Sequence, residues 1–217
     1  MCGAFHLVKE TKSLDLMAYL GTPEFSGKGL CVPASEIEIV LENSQGRECR
    51  KAKWWLLLGK DGKPNYHYAT FNSRSDKLAS SFLTQKPFKT SRCIIPASAV
   101  IEGQNKKYHT VSRVGQALAL GGLYKTYEVD GELITTASVI TCPGNPKWAN
   151  FHAKSTPLML DTSDEDLIDM WLDPGFHQTE AFNDALSGRL FFDLNITPIT
   201  AARDLTATGA SFNCPAD

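Results

Sequence analysis

The chain has 217 residues, of which 42% are hydrophobic and 21% are charged, and its formal net charge is −2 at pH 7. This length and balance are typical of a soluble globular protein with one sizeable core or two small ones. The apolar runs are far too short to span a bilayer, and the charge gives no global attraction to nucleic acid, so any such binding must come from local basic clusters.

Two further features of the composition limit the class of protein. The first ten residues include His6, Lys9 and Glu10 and lack the apolar segment of a signal peptide, so we expect a cytoplasmic protein that does not associate with membranes. The six cysteines are scattered, without a CxxC pair or a Cys/His spacing typical of zinc sites. We expect reduced thiols, no bound metal and no other cofactor.

Short apolar segments separated by turn residues dominate the chain and predict a strand-rich fold. Asp61-Gly62 and Asp130-Gly131 are typical of hairpin turns. The predicted strands, in chain order, are Ala4–Val8, Glu36–Leu41, Lys53–Leu58, Cys93–Ile101, Ala117–Tyr124 and Leu133–Thr141.

Fewer segments predict helices. Ser13 can cap a helix over Leu14–Leu20, Ser163 can open one that ends at Leu172, and a third covers about Thr179–Leu186 before Gly188. The small polar residues from 207 to 217 predict a poorly ordered, flexible tail. We therefore expect an α+β fold, a single domain over 1–217 with a curled, mostly antiparallel, barrel-like sheet and peripheral helices. We expect it to be a monomer.

The opening Met1-Cys2-Gly3 carries the strongest chemical signal. Cys2 is small enough for the initiator methionine to be removed, which leaves a free α-amine and a thiol on adjacent carbons. The amine has a reference pKa of about 7.7–8.0, so a part of it is neutral at physiological pH. Such a 1,2-aminothiol can condense with an aldehyde to an imine and close it into a thiazolidine, or can attack an amide with its own amine as base. The alternative is an ordinary buried thiol at the start of a strand.

Polar residues at the ends of predicted strands form a second signal, because such positions often line pockets. Asn72 and Arg74 follow the run that ends at Phe71, Glu102 ends an apolar strand, and His152 precedes a polar turn. Each has a plainer interpretation. Asn72 can form an Asx turn, Arg74 can pair with Asp76, Glu102 can be a solvated turn residue, and His152 can be a satisfied core histidine.

Taken in order, these segments resemble the SOS-response-associated peptidase family, which processes abasic sites. That family begins Met-Cys-Gly-Arg-Phe and carries a Trp-Gly-Leu segment, a Phe-Asn-Ala-Arg-x-Glu segment, an Arg-Cys strand ending in Glu, and a late His followed by Pro. The matching segments here are 1–5, 53–58, 71–76, 92–102 and 151–157. Three features depart from the pattern. Ala4 replaces the usual arginine, Gly103 stands where many members have a tryptophan, and His152 lies five residues before Pro157, not the commoner four.

The resemblance implies a sensor of abasic sites in single-stranded DNA that forms a covalent thiazolidine crosslink through Cys2 after removal of Met1, with lyase-type chemistry and an autopeptidase activity. It implies catalytic roles for Cys2, Asn72, Glu102 and His152. Asn72 would position the amine, Glu102 would transfer protons, and His152 would contact the 3′ phosphate and ring oxygen. Phosphate and base contacts would come from four further residues, namely Arg74, Lys154, Trp54 and Trp55. For the two tryptophans the alternative is core packing, since adjacent residues of a strand face opposite sides.

Two other classes of function remain open at this point. An N-terminal-nucleophile amidohydrolase of the glutamine amidotransferase type also begins Met-Cys-Gly, and its further motifs have only weak counterparts here, at 130–133 and 74–77. The third possibility is a non-catalytic single-strand binder with an incidental cysteine, which predicts reversible, salt-sensitive binding without preference for abasic DNA.

Overall fold

The computed structural model describes residues 2–217, and Met1 lies outside the described residues. Two β-sheets form the framework of the fold, and the helices pack against them. The strands are β1 (Phe5–Leu7), β2 (Gly29–Cys31), β3 (Glu36–Asn43), β4 (Gly46–Lys53), β5 (Asn72–Arg74), β6 (Arg92–Ala97), β7 (Ala99–Gln104), β8 (Lys107–Arg113), β9 (Leu118–Val129), β10 (Glu132–Pro143), β11 (Ser155–Pro157), β12 (Met159–Leu160), β13 (Leu194–Ala201), β14 (Asp204–Ala207) and β15 (Phe212–Cys214). The α-helices are α1 (Thr11–Tyr19), α2 (Gln85–Thr90), α3 (Ala149–His152) and α4 (Glu165–Leu172).

The larger sheet closes on itself. Its strands run in the order β10, β4, β3, β6 and β9, and β9 pairs again with β10, which completes a barrel. Only the short contact between β10 and β4 is parallel in this ring. Gly121 and Gly122 allow the interior to pack closely, since a Cβ on Gly121 would lie 2.3 Å from the Leu158 side chain. The α+β fold with a curled, mostly antiparallel, barrel-like core is confirmed.

The smaller sheet positions the start of the chain. Its order is β14, β13, β8, β7, β1 and β2, all antiparallel, with β15 paired to β13. The first strand therefore lies between β2 and β7, and the amide of Ile101 extends this pairing to the carbonyl of Ala4 at 2.9 Å. Cys2 is thereby brought to the end of β7 that carries Glu102.

Most of the predicted strands are confirmed, including those at 4–8, 36–41, 117–124 and 133–141. Asp130-Gly131 forms the expected turn between β9 and β10, with φ angles of 52° and 82°. The prediction at Cys93–Ile101 needs correction, because it is two strands, β6 and β7, interrupted at Ser98. The amide of Ser98 donates to the carbonyl of His6 at 2.7 Å, which carries the chain from one sheet to the other.

The strand predicted at Lys53–Leu58 is wrong. Lys53 ends β4, and the chain then leaves the ladder until an isolated bridge between Leu58 and Pro64. Trp54 and Trp55 are both buried, whereas successive side chains of a regular strand face opposite sides. The irregular backbone at this point is what allows both indoles to enter the interior.

The residues predicted to cap the helices are not the ones found at their N-termini. Ser13 does not cap α1, because it is buried and its hydroxyl pairs with that of Ser98 at 3.0 Å. The helix predicted after Ser163 is α4, and its cap is Asp164, whose carboxylate accepts the Leu167 amide at 2.9 Å. The third predicted helix is two short 3₁₀ segments that end at Gly188, where φ is 86°. None of the helices in residues 2–217 is both long and apolar enough to cross a membrane.

The segment from 207 to 217 differs from the predicted flexible tail. Phe212–Cys214 forms β15 against β13, and the Asp217 carboxylate accepts the Leu190 amide at 2.8 Å. The small polar residues form no apolar pattern, so the composition of this segment could not reveal β15. That strand is held mainly by backbone pairing and by side-chain hydrogen bonds of the residues around it.

Candidate functional site

Cys2 lies at the centre of the candidate site. Its side chain is fully buried, and its thiol faces the carbonyl oxygen of Ala4, with Sγ at 3.8 Å. Burial raises the pKa of the Cys2 thiol well above its ordinary value, and the negative charge of Glu102 acts in the same direction. Cys2 and Glu102 therefore share one electrostatic environment.

Asn72 contacts the backbone of Cys2 directly. Its side-chain amide donates to the Cys2 carbonyl at 2.8 Å. The position of Asn72 is fixed from two sides, because the carbonyl of Phe71 just before it accepts the amide of Val139 at 3.0 Å and the indole N–H of Trp54 at 2.7 Å. The other side-chain atom of Asn72, Oδ1, is buried and has no hydrogen-bond partner among residues 2–217.

Glu102 is a buried carboxyl at the end of the apolar part of β7. Burial raises its pKa to about 8, so the group is mostly protonated at neutral pH. Its Oε1 atom has no hydrogen-bond partner within the described range 2–217. A neutral carboxylic acid in this position can donate a proton and then take one back, which is the property required of a general acid and base near pH 7. Glu102 is therefore not a solvated turn residue.

His152 ends α3, and α3 is held against β7. The side chain of Gln104 donates to the Ala149 carbonyl at 3.2 Å and accepts the Ala153 amide at 2.9 Å. His152 itself bonds to the backbone of Gly103, next to Glu102. Partial burial lowers the pKa of His152, so the imidazole is neutral at pH 7. Cys2, Asn72, Glu102 and His152 are thus brought together from four separate parts of the sequence.

Arg74 and Lys154 lie at the surface beside this group. Arg74 is two residues after Asn72 on β5, so both side chains leave the strand on the same face. Its guanidinium makes two bonds to the Asp76 carboxylate, at 2.9 and 2.7 Å. Such an exposed ion pair is worth about 0–1 kcal/mol, so the guanidinium can exchange Asp76 for a phosphate at little cost. Lys154 is exposed two residues beyond His152.

The prediction that Trp54 and Trp55 stack on DNA bases is wrong. Their exposed fractions are 0% and 6%, and their indole N–H groups donate to the carbonyls of Phe71 and Asn65. Trp54 also packs against Phe5 of β1, with ring centroids 5.0 Å apart. It therefore connects the strand that follows Cys2 to the residue that precedes Asn72, which is a positioning role in the core.

Two exposed tyrosines in the neighbouring loop were missed by the sequence reasoning. Tyr66 and Tyr68 are 70% and 62% exposed in the loop before Phe71. Tyr66 packs on Trp55, with centroids 5.1 Å apart, and Trp55 packs on Phe71 at 5.3 Å. Their position after the turn at Asp61-Gly62 was visible in the sequence, but nothing there distinguished them from buried aromatics.

His109 was also missed. It pairs with Glu102 in the register of β7 and β8, so the two side chains project from the same face of the sheet. The imidazole packs on Phe151, with centroids 5.0 Å apart, and its buried Nδ1 has no hydrogen-bond partner in the part of the chain that the structure describes, residues 2–217. Burial lowers the pKa of His109, and the nearby charge of Lys107 lowers it further.

The fold and this cluster define a class of protein: an α+β barrel with a cysteine site built at the start of its first strand. The sequence model of the family described as SOS response associated peptidase (SRAP) matches residues 1–202. The chain belongs to that family. The amidotransferase look-alike at 130–133 forms only the hairpin turn between β9 and β10, away from the cluster.

Curated relatives agree with this assignment, and solved structures match the fold. The chain is 25% identical over 187 residues to the abasic site processing protein YobE of Bacillus subtilis, covering 80% of this chain and 83% of that protein. It is 28% identical over 128 residues to the abasic site processing protein YMR114C of Saccharomyces cerevisiae, covering 56% and 34%. A crystal structure of a Bordetella bronchiseptica protein matches the fold with a TM-score of 0.72 at 16% identity, covering 91% of this chain and 99% of that one. A structure from Bacteroides thetaiotaomicron gives a TM-score of 0.69 at 18% identity, with coverages of 90% and 91%.

Proposed function

We propose that this protein captures abasic sites in single-stranded DNA through a covalent thiazolidine crosslink to Cys2, and thereby shields the damaged strand from cleavage. Membership of the SRAP family and similarity to abasic site processing proteins support the DNA lesion as the substrate. The geometry around Cys2 supports the chemistry.

One observation carries the proposal. Two buried acceptor atoms, Oδ1 of Asn72 and Oε1 of Glu102, have no donor among residues 2–217, although buried polar atoms are nearly always paired. Both belong to residues that contact Cys2 or share its electrostatic environment. The α-amine that removal of Met1 would free on Cys2 supplies N–H donors of the kind these two atoms lack. A site prepared for a free N-terminal amine is what the aminothiol mechanism needs.

The reaction balances without an oxidant or a metal. The neutral amine of Cys2 adds to the C1′ aldehyde of the ring-opened sugar, and loss of one water gives an imine. The thiol then adds across the C=N bond, so that sulfur bonds to C1′ and the proton goes to nitrogen. Ring closure removes the imine, which would otherwise promote β-elimination and strand breakage.

Glu102 and His152 would move the protons. A protonated Glu102 can protonate the departing oxygen and later accept the proton of the thiol, a role worth about 10²–10⁴-fold in rate. His152 would contact the 3′ phosphate and the O4′ oxygen of the opened sugar, and because a neutral imidazole has a single N–H, it can donate to only one of them at a time. Because the amine reacts when neutral and Glu102 donates when protonated, the rate should pass through a maximum between about pH 7 and 9.

DNA binding is assigned to the rim of the site. Arg74 and Lys154 would contact backbone phosphates, and Tyr66 and Tyr68 replace the two tryptophans as surfaces for unpaired bases. Since phosphate contacts dominate, affinity should fall as salt increases. The peptidase activity in the family description would be limited here to removal of Met1 or to self-release from DNA.

The test is a denaturing gel of the protein with single-stranded DNA that carries one abasic site, beside undamaged DNA, with intact-mass analysis to confirm loss of Met1. The wild type should give a boiling-resistant band on abasic DNA only. Cys2→Ser retains the amine and loses the thiol, so it should form an imine that borohydride can trap, and should cleave the strand instead of protecting it. Cys2→Ala should behave in the same way.

A boiling-resistant band with Cys2→Ala in the absence of borohydride would exclude the aminothiol mechanism. So would the absence of any band from protein whose mass confirms an N-terminal Cys2. Reversible, salt-sensitive binding without preference for abasic DNA would favour the non-catalytic single-strand binder, and release of ammonia from glutamine would favour the amidotransferase.

A further inference from the structure

A short segment at 212–217, which we call the strap, packs against the part of the chain that carries His152. It lies outside the residues 1–202 that the family model matches. The strap consists of β15, Phe212–Cys214, followed by Pro215, Ala216 and Asp217. Towards His152, the strap contacts two neighbouring elements, the 3₁₀ turn Pro146–Trp148 and the helix α3 that follows it directly.

Lys147 binds the strap to the 3₁₀ turn Pro146–Trp148. Its ammonium group donates to the carbonyls of Pro215 and Ala216 at 3.2 and 2.7 Å and pairs with the Asp217 carboxylate at 3.2 Å. The same carboxylate accepts the side-chain amide of Asn145 at 2.7 Å. One exposed ion pair would contribute little, but these bonds converge on the residues that start the turn.

Packing between aromatic rings connects the strap to α3. Phe212 lies against Phe151, the residue before His152, with centroids 5.8 Å apart. Phe151 is buried between Phe212, Trp148 and His109, at 5.8, 6.3 and 5.0 Å. The helix α3 has only four residues and cannot be stable alone, so its orientation must come from such contacts.

The strap is itself anchored to the smaller sheet. Leu194 pairs with Cys214 across β13 and β15. The Asp193 carboxylate accepts the amide of Ala216 at 2.9 Å and the side-chain amide of Asn213 at 3.2 Å. The backbone amide of Asp217 donates to the Leu190 carbonyl at 2.9 Å. These bonds give the strap a fixed position from which it can fix α3.

We infer that the strap is a positioning element for His152, acting through Phe212 on Phe151 and through Pro215–Asp217 on Lys147. It holds α3 against β7 so that the imidazole stays beside Glu102. The inference rests on the proposed function for the role of His152. It means that Phe212 and Lys147 affect the rate of crosslinking although neither residue contacts the reacting atoms.

The test compares Phe212→Ala and Lys147→Ala with Phe82→Ala, a change at a phenylalanine that is 94% exposed. Crosslinking is measured in single turnover over a range of abasic DNA concentrations. Because a displaced catalytic group lowers the rate of the chemical step, we expect a maximal rate about 10-fold lower in the two strap variants with an unchanged half-saturating DNA concentration. Phe82→Ala should match the wild type.

The same variants are then made in a His152→Ala background. If the strap acts through His152, Phe212→Ala should cause no further loss there, and Phe212→Leu should restore part of the rate in the original background. An equal loss in both backgrounds, or a change only in half-saturation, would overturn the inference. Thermal unfolding of each variant shows whether lost rate merely reflects lost folding.

A second readout does not need the crosslink. Partial burial lowers the pKa of His152, so an NMR titration of this imidazole should show that pKa moving up in Phe212→Ala while Phe82→Ala leaves it unchanged. An unchanged His152 pKa overturns the inference even if the wild type forms no crosslink. Failure of the wild type to capture abasic DNA, with His152 displaced as expected, overturns the proposed function and leaves the positioning contact established.

Discussion

The side-chain amide of Asn72 donates to the carbonyl of Cys2 at 2.8 Å, across 70 positions of the sequence. This bond holds the residue that bears the amine and the thiol at a fixed distance from the end of β5. Because Trp54 and Val139 fix the preceding carbonyl of Phe71, the amide of Asn72 has little freedom to move. The geometry of Cys2 is therefore set from the barrel as well as from β1, the strand that follows it.

Replacement of Asn72 should impair capture more than it impairs folding. Asn72→Ala removes one buried hydrogen bond, which should lower the free energy of unfolding by about 1 kcal/mol, whereas the crosslinking rate should fall by about 10²-fold because the amine loses its orientation. Single-turnover gels and urea unfolding measure the two effects. Asn183→Asp, at an exposed asparagine, is the control for Asn72→Asp, which should also be slow. A rate within twofold of the wild type for both Asn72 variants would remove Asn72 from the site.

Glu102 should make stability depend on pH in a defined direction. Its pKa is about 8 in the folded protein and about 4.3 when unfolded, so between these values the folded state keeps a proton that the unfolded state has lost. The free energy of unfolding therefore falls as pH rises through this window. Glu102→Gln removes the dependence, and its melting temperature should exceed that of the wild type increasingly from pH 5 to pH 9. The exposed Glu128→Gln serves as control, and an equal difference at both pH values would contradict the raised pKa.

The sequence predicted the fold well where hydrophobic pattern and turn chemistry act locally. The long strands β9 and β10 and their Asp130-Gly131 turn are examples. It failed where long-range contacts decide, as at Trp54 and Trp55, whose burial depends on an irregular backbone after β4. Arg92 shows the same limit. In sequence it stands close to Lys86 and Lys89, as a solvated basic residue would. Its guanidinium is instead buried and donates to six backbone carbonyls, those of Phe88, Lys89, Met170, Trp171, Asp173 and Phe176.

The residues of the candidate site that occur in sequence motifs could be predicted from the sequence, and the others could not. Cys2, Asn72, Glu102 and His152 were chosen from strand ends and from the family resemblance, and the structure brings them together. His109 could not be found in this way, because its relation to Glu102 depends on the register of a hairpin. Nor could Phe212, which reaches Phe151 across a sheet that composition did not reveal.

The exposed tyrosines should carry base contacts. Tyr66→Ala and Tyr68→Ala should each weaken binding to single-stranded DNA by about 1–3 kcal/mol, because each removes an exposed ring that can stack on an unpaired base. Fluorescence anisotropy with undamaged single-stranded DNA, which has no aldehyde for Cys2 to attack, isolates non-covalent binding. Phe82→Ala, which removes another exposed ring, should leave affinity unchanged. An equal loss of affinity at Phe82 and at the tyrosines would mean that any exposed ring contributes, whatever its position. It would contradict the proposal that bases stack on this loop in particular.

His109 and Glu102 present two buried polar atoms without partners among residues 2–217, from paired positions on one face of the sheet. Since an unpaired buried polar group is costly, we expect a water molecule or a hydroxyl of the bound sugar to bond to His109 Nδ1 and to the second lone pair of Glu102 Oε1, beside the amine of Cys2. His109→Phe keeps the ring against Phe151 and removes the nitrogen, so it should slow crosslinking about 10-fold without loss of stability.

The coupling between the two residues can be measured directly. If His109 acts with Glu102, the double variant His109→Phe/Glu102→Gln should be no slower than Glu102→Gln alone, because the partner of the nitrogen has already been changed. His177→Phe, at an exposed histidine, is the matched control and should react like the wild type. Independent, multiplicative losses in the double variant would show that the nitrogen of His109 acts separately from Glu102. An unchanged rate in His109→Phe alone would show that His109 contributes only its packing on Phe151.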